Sequence, residues 1–177
     1  HVTDTLTRPN LLFSLAIYNI QKDDFCGAIQ YFKDYCEAFP DDTSTLYNLA
    51  ACYNNCKMFD SALKVNHQIL QYAPNNLDAL TAIGLYHNQL ARNASDSVSL
   101  YQGQENEPQV KHWTEKRNEA FDSSIVYFRK AAEAHPEDVP TLEQFGTVAA
   151  LTNRYDEAAG AFGKLSELVP SRAEYPR

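Results

Sequence analysis

The sequence predicts an all-α fold of antiparallel helix pairs stacked side by side. Two observations carry that prediction. One amphipathic pattern is written four times, as FCGAIQYFKDYCEAFP, FDSALKVNHQILQYAP, FDSSIVYFRKAAEAHP and YDEAAGAFGKLSELVP, closing on Pro40, Pro74, Pro136 and Pro170. Upstream of each copy lies a second pattern: Leu12 and Leu15, Leu46 and Leu49, Leu80 and Ile83, Leu142 and Phe145. Each of those pairs is followed at once by a small residue, Ala16, Ala50, Gly84 or Gly146.

Aligned on their prolines, the four copies place Ala28, Ala62, Ser124 and Ala158 in one column, where helices must approach closely and only a small residue fits. Phe32, Phe128 and Phe162 share the next column, with Asn66 as the exception. Tyr35, Ile69, Ala131 and Leu165 follow, so that one face is apolar at i, i+4 and i+7. Each copy is therefore an amphipathic helix ended by proline, and each upstream pattern is its partner helix. Isolated helices shorter than about 12 to 15 residues are marginal in water, so each pair must bury its face on the next pair.

With these columns in view, the sequence resembles the tetratricopeptide repeat family, whose 34-residue helix–turn–helix unit carries a large-x-x-large-small run, then an aromatic, a small residue, an aromatic and a terminal proline. The segment TSTLYNLAACYNNCKMFDSALKVNHQILQYAPNN fits nearly throughout. The first unit departs by placing Asp23, and the fourth by placing Asn153, at the usual turn glycine. The resemblance implies a right-handed helical solenoid of four repeats over residues 9–172, with an N-terminal extension at 1–8 and a tail at 173–177.

The prolines are spaced by 34, 62 and 34 residues, so 28 extra residues fall within the third repeat, at about 87–120. Its middle, 92–107, is rich in Ser, Asn, Gln and Gly and reads as a loop, so that removing 94–107 is expected to spare the fold. Pro108 suits the first turn of a helix, and Val110, Trp113, Arg117, Ala120 and Phe121 continue one apolar face into the ordinary second helix. A long helix over 108–134, about 40 Å at 1.5 Å per residue, is expected to project beyond its neighbours.

Net charge is −8 and the basic residues do not cluster, which argues against nucleic acid as a partner. The longest apolar run, Leu11 to Ile17, is too short to span a membrane, leaving peripheral or lipid-anchored association open. Cys26, Cys36, Cys52 and Cys56 lack paired metal-site spacing and read as small apolar core residues. If a disulfide forms, Cys26 with Cys52 or with Cys56 is the pairing to test. The five histidines show no i, i+4 pair, so no metal is expected. No catalytic motif is present, and no catalytic residue or cofactor is expected.

The resemblance implies that the first helices of successive pairs line a groove for a protein or peptide partner. The residues projected inward are Phe13, Ile17, Tyr47, Asn48, Asn54, Asn55, Thr81, Leu85, Asn88 and Gln89, followed in the fourth pair by Glu143, Thr147 and Ala150. Side-chain amides can bond an extended backbone as donor or acceptor without reading its sequence. Co-chaperone members of the family clamp a terminal carboxylate with Lys, Asn and Arg; this sequence has Phe13, Ile17, Asp78 and Ala82 at most of those positions and retains Asn48 alone.

Trp113 on the projecting hairpin, and Gly160 and Gly163 in the last helix, are further contact candidates. Only seven residues follow Pro170, too few for the polar helix that usually covers the end of such an array, so the last helix is expected to offer an open face. The expected function is a non-catalytic protein-interaction scaffold, a subunit of a larger assembly. The alternatives are the recruitment domain of a larger enzyme whose catalytic residues lie outside this chain, and a self-assembling homo-oligomer. The inserted repeat resembles bacterial cell-envelope proteins of this family, with a cytoplasmic location as the alternative.

Overall fold

The computed structural model describes residues 4–170. They form eight helices and, among the described residues, no strand: α1 (Asp4–Gln21), α2 (Phe25–Ala38), α3 (Thr43–Asn55), α4 (Phe59–Tyr72), α5 (Leu77–Gly103), α6 (Glu107–Ala134), α7 (Val139–Leu151) and α8 (Tyr155–Leu168). Helix α1 starts inside the segment expected as an N-terminal extension. The tail expected to leave the last helix open lies outside the described residues.

Each helix start has a local cause. Asp24, Asp42, Asn106 and Asp138 cap α2, α3, α6 and α7 by accepting from backbone N–H groups of the first turn, and Asn76 accepts from Ala79 N at 2.9 Å. Such a cap contributes about 1 kcal/mol. Pro108 and Pro140 sit in the first turns of α6 and α7, where no helical partner for their missing N–H is needed.

The turns within the pairs share one geometry. Asp23, Lys57, Glu105 and Asn153 adopt positive φ between 53° and 60°. The next residue then donates its N–H back across five residues, Asp24 to Asn19, Met58 to Tyr53, Asn106 to Tyr101 and Arg154 to Ala149, at 2.8–3.0 Å. Those bonds satisfy carbonyls that a helix end leaves free.

The chain divides into two compact units, His1–Ala79 and Leu80–Arg177. In the first, Ala16, Ala28, Phe32, Leu46, Leu49, Ala50, Ala62 and Ile69 form the core, and Phe13 meets Phe32 edge to face at 5.9 Å. Asn66, the exception in the aromatic column, is buried with its Nδ2 donating to Ala62 O at 3.0 Å, so its polar group is satisfied within its own helix. In the second unit Ile125, Phe128, Leu142, Phe145, Val148 and Ala149 form the core.

The Ser-, Asn- and Gln-rich segment 92–107 is not the loop that its composition predicts. Helix α5 runs unbroken to Gly103 and only the three residues 104–106 form the turn to α6. Against α7 (13 residues) and α8 (14 residues), α5 (27) and α6 (28) are each 14 longer, since 27 − 13 = 14 and 28 − 14 = 14. Fourteen residues are two heptads, an insertion that returns each helix to nearly the same face. The stripe that holds α5 is made of small residues, Ala91, Ala94 and Val98, all buried. The polar composition around them concealed it.

The small-after-large positions do what the columns suggest. A Cβ on Gly84 would meet the ring of Phe128 at 3.0–3.1 Å, and one on Gly146 the ring of Phe162 at 2.8 Å. Ser124, opposite, donates its hydroxyl to Gly84 O at 2.9 Å.

Two outcomes follow from this packing. Removing 94–107 cuts away the turn and the stripe together and is expected to lower the melting temperature sharply, whereas removing 90–103 with 107–120, fourteen residues from each helix, should leave a folded hairpin with cooperative melting. Gly84→Ala is expected to destabilise by about 1 to 3 kcal/mol in denaturant titration because Phe128 is fully buried and cannot yield. Gly146→Ala should be near neutral, since Phe162 is 41% exposed and can swing outward while the helix gains about 1 kcal/mol of propensity.

Candidate partner-binding site

The residues expected to line a groove do not form a uniform set. In the first unit Phe13 and Ile17 are half-buried and pack on the core, so they serve stability first. Tyr47 is 48% exposed, Asn48 half-buried, and Asn54 and Asn55 exposed. Asn55 spends an amide proton on Ala51 O at 2.9 Å, its own helix.

In the second unit Leu85 is exposed and Thr81 half-buried. Gln89 is exposed but donates to Asn93 Oδ1 at 2.8 Å. Asn88 is only 5% exposed, and its Oδ1 has no hydrogen-bond partner. Helical spacing placed these amides on one side of their helices; exposure and hydrogen bonding then separate them.

A concave surface lies on α6, α7 and α8. Its floor is apolar, from Ala132, Leu142, Phe145 and Ala161, and its volume is about 580 Å³. Arg129 on the rim donates through Nε and Nη2 to the Glu157 carboxylate at 2.9 and 2.7 Å. The pair is about one-third exposed on each side, so it contributes at most about 1 kcal/mol, but it holds the rim in place. The repeat pattern alone gives no sign of this pair. The partner of Glu157 lies on the preceding second helix, 28 residues away, beyond the reach of helical periodicity.

Gly160 lies on the same rim, and a Cβ there would meet nothing within 4 Å. The counterpart in the first unit, on Lys33, Cys36, Leu46, Leu49, Tyr53 and Gln68, has a volume of about 290 Å³. Aligning Pro74 with Pro170 sets Lys64 and Val65 against Gly160 and Ala161, smaller residues beside the wider cleft. Gly163 is exposed in open space but is not part of the cleft wall. Trp113 lies elsewhere, in a separate cavity of about 300 Å³ inside the long hairpin with Leu90, Ala94 and Ala120. Its Nε1 is buried there without an acceptor.

Cys26 and Cys56 form a disulfide with 5.7 Å between their Cα atoms, tying the start of α2 to the end of α3. Cys36 and Cys52 are free and buried, and burial pushes both thiols up to about 11, with the Asp42 charge adding to the rise at Cys36. For Asp42 itself burial pushes the carboxyl up, but hydrogen bonds from Thr45, Tyr35 and Ser44 outweigh it and hold the group below its usual range. Among the described residues no three His, Cys, Asp or Glu side chains gather as metal ligands, and no helix is long and apolar enough to cross a membrane.

No protein-family model matches the sequence, and no curated protein matches it. Solved structures do. TTC0263, a thermophilic TPR protein of Thermus thermophilus, superposes with a TM-score of 0.59 at 18% identity, over 92% of this chain and 75% of that one. The chain has a tetratricopeptide-type fold. Human IFIT1, solved as a dimer with m7Gppp-AAAA, superposes with a TM-score of 0.63 at 18% identity over 85% of this chain, which spans 31% of the IFIT1 chain.

The IFIT1 complex overturns one expectation. Nucleic acid was set aside on the net charge of −8, yet a protein with the same tetratricopeptide-type architecture is solved with an RNA ligand. Net charge sums the whole surface, whereas nucleic-acid binding is decided by local cations and stacking groups. The bulk charge of this chain therefore excludes no class of partner.

The cysteines give a pH and redox signature. Because the fold keeps Cys36 and Cys52 protonated above the ordinary value of 9.0, stability is full below pH 9 and is expected to fall as the pH rises toward about 11, as read by denaturant midpoints. Both thiols should resist alkylation at pH 7.5 until the chain unfolds. Reducing Cys26–Cys56, which closes a 30-residue separation, should cost about 3 to 4 kcal/mol by loop-closure entropy.

Proposed function

We propose that the chain is a non-catalytic scaffold that holds a protein partner in the cleft of α6, α7 and α8, with the exposed Leu85 of the same unit as a further contact. The observation that carries this reading is the cleft's shape. An apolar floor of Leu142, Phe145 and Ala132 suits a partner's apolar side chain, and Gly160 on the rim lets the partner's backbone approach. Glu133 and Lys164 flank it with opposite charges that can orient the partner. The tetratricopeptide-type fold supports a scaffold role, and the Cys26–Cys56 bond supports an oxidising compartment.

Gly160→Leu separates binding from folding. A Cβ at this position meets no atom within 4 Å, and replacing the glycine gains about 1 kcal/mol of helix propensity, so the melting temperature should hold or rise. The affinity for a partner captured from the native source and titrated by calorimetry should fall at least tenfold. Unchanged affinity would remove the cleft from the proposal, and a loss confined to Leu85→Ala would move the site to the exposed face of α5.

A further inference from the structure

The lengthened hairpin makes a notch in the second unit where α5 and α6 pass the α7–α8 turn. Ser95, Arg117, Asn118, Phe121, Leu151 and Asn153 line it, and its volume is about 600 Å³. A repeat of ordinary length has no counterpart, because Ser95, Arg117 and Asn118 all belong to the inserted turns.

Arg117 determines the chemistry of the notch. Arg129 and Arg154, half-buried like it, are each paired with a carboxylate, Glu157 and Asp122 respectively. Among the described residues Arg117 takes part in no ion pair; its Nε and Nη2 donate to Asn118 Oδ1 at 3.2 Å each. A guanidinium has five N–H groups, so part of its donor fork remains uncommitted.

The neighbouring groups add donors. Asn118 Oδ1 accepts from Arg117 and Asn153 Oδ1 accepts from the Tyr155 hydroxyl at 2.7 Å, which orients both amides with their Nδ2 groups unspent. Ser95 and Thr152 direct their hydroxyl protons to Ala91 O and Val148 O, each at 2.9 Å. Asp122, the acid on the wall, is held by Arg154. A positive charge and free N–H groups thus stand beside Phe121 and the 58% exposed Leu151.

We propose that this notch binds the side-chain carboxylate of an acidic residue in a partner peptide, with an apolar neighbour of that residue laid on Phe121 and Leu151. One guanidinium neutralises one carboxylate, and its planar fork matches the two oxygens in a bidentate pair. The Asn118 and Asn153 amides donate to oxygen lone pairs that Arg117 leaves open. The inference rests on the reading of the chain as a partner-binding scaffold, but it concerns different residues from the α6–α8 cleft.

The test is a titration of the full chain with the capped pentapeptide Gly-Leu-Asp-Leu-Gly, its Asn-for-Asp counterpart and a short oligoadenylate, followed by nuclear magnetic resonance of the Arg117 Nε–H and the Asn118 and Asn153 side-chain amides. The acidic peptide should shift these signals saturably and bind at least tenfold more tightly than the amide peptide. Arg117→Gln should abolish the difference, and Arg117→Lys should reduce it by several-fold through loss of the fork. Asn153→Gly, which keeps the positive-φ turn, should weaken binding while preserving the fold, and so guards against a misfolded Arg117 variant. Gly160→Leu should leave all these shifts unchanged, separating failure of the notch from failure of the cleft. Equal binding of the two peptides, shifts outside the notch, or shifts with the oligoadenylate alone would overturn the proposal.

Discussion

The close approach of two helices at a small residue is the contact on which the pairs depend. Gly84 admits the ring of Phe128 and Gly146 admits the ring of Phe162, at distances where even one more carbon would press on the aromatic face. Phe128 is fully buried, which contributes about 1.5 to 3 kcal/mol, whereas Phe162 is 41% exposed and makes the weaker contact. The contact also fixes how the helices can be joined. A three-residue turn with one residue at positive φ closes the pairs in both units, and Glu105 closes the lengthened pair in the same way.

That constraint explains the form of the insertion. Unequal lengthening of α5 and α6 would move the turn off its geometry or rotate a stripe away from its partner. Two heptads on each helix avoid both. Ala91, Ala94 and Ala120 then allow the extended helices to stay close with little bulk, and Trp113 fills part of the space between them. The lengthened pair is thus a continuation of the repeat geometry, and the notch at the α7–α8 turn is its by-product.

Charge acts locally in this chain. The net value of −8 coexists with Arg129 and Arg154 committed to carboxylates and with Arg117 committed to none among the described residues. The nearest partner decides what each guanidinium can do, because the Coulomb attraction of a carboxylate at hydrogen-bond distance exceeds that of charges several times farther away.

The sequence by itself determined the helices, their proline stops and the small and large columns, since these rest on contacts three and four residues apart or on the conformation of single residues. Its readings of Gly84, Phe128 and Ala62 as packing positions needed nothing beyond periodicity. Tertiary structure alone decided which Cys26 partner was chosen, that the Ser- and Asn-rich segment would hold as helix, and that Asn88 would be buried while Asn54 stayed exposed. It also decided the Arg129–Glu157 pair, the α6–α8 cleft and the notch at Arg117. Each of these joins residues from different helices, and the distance between two helices is set by everything packed between them, which no local pattern records.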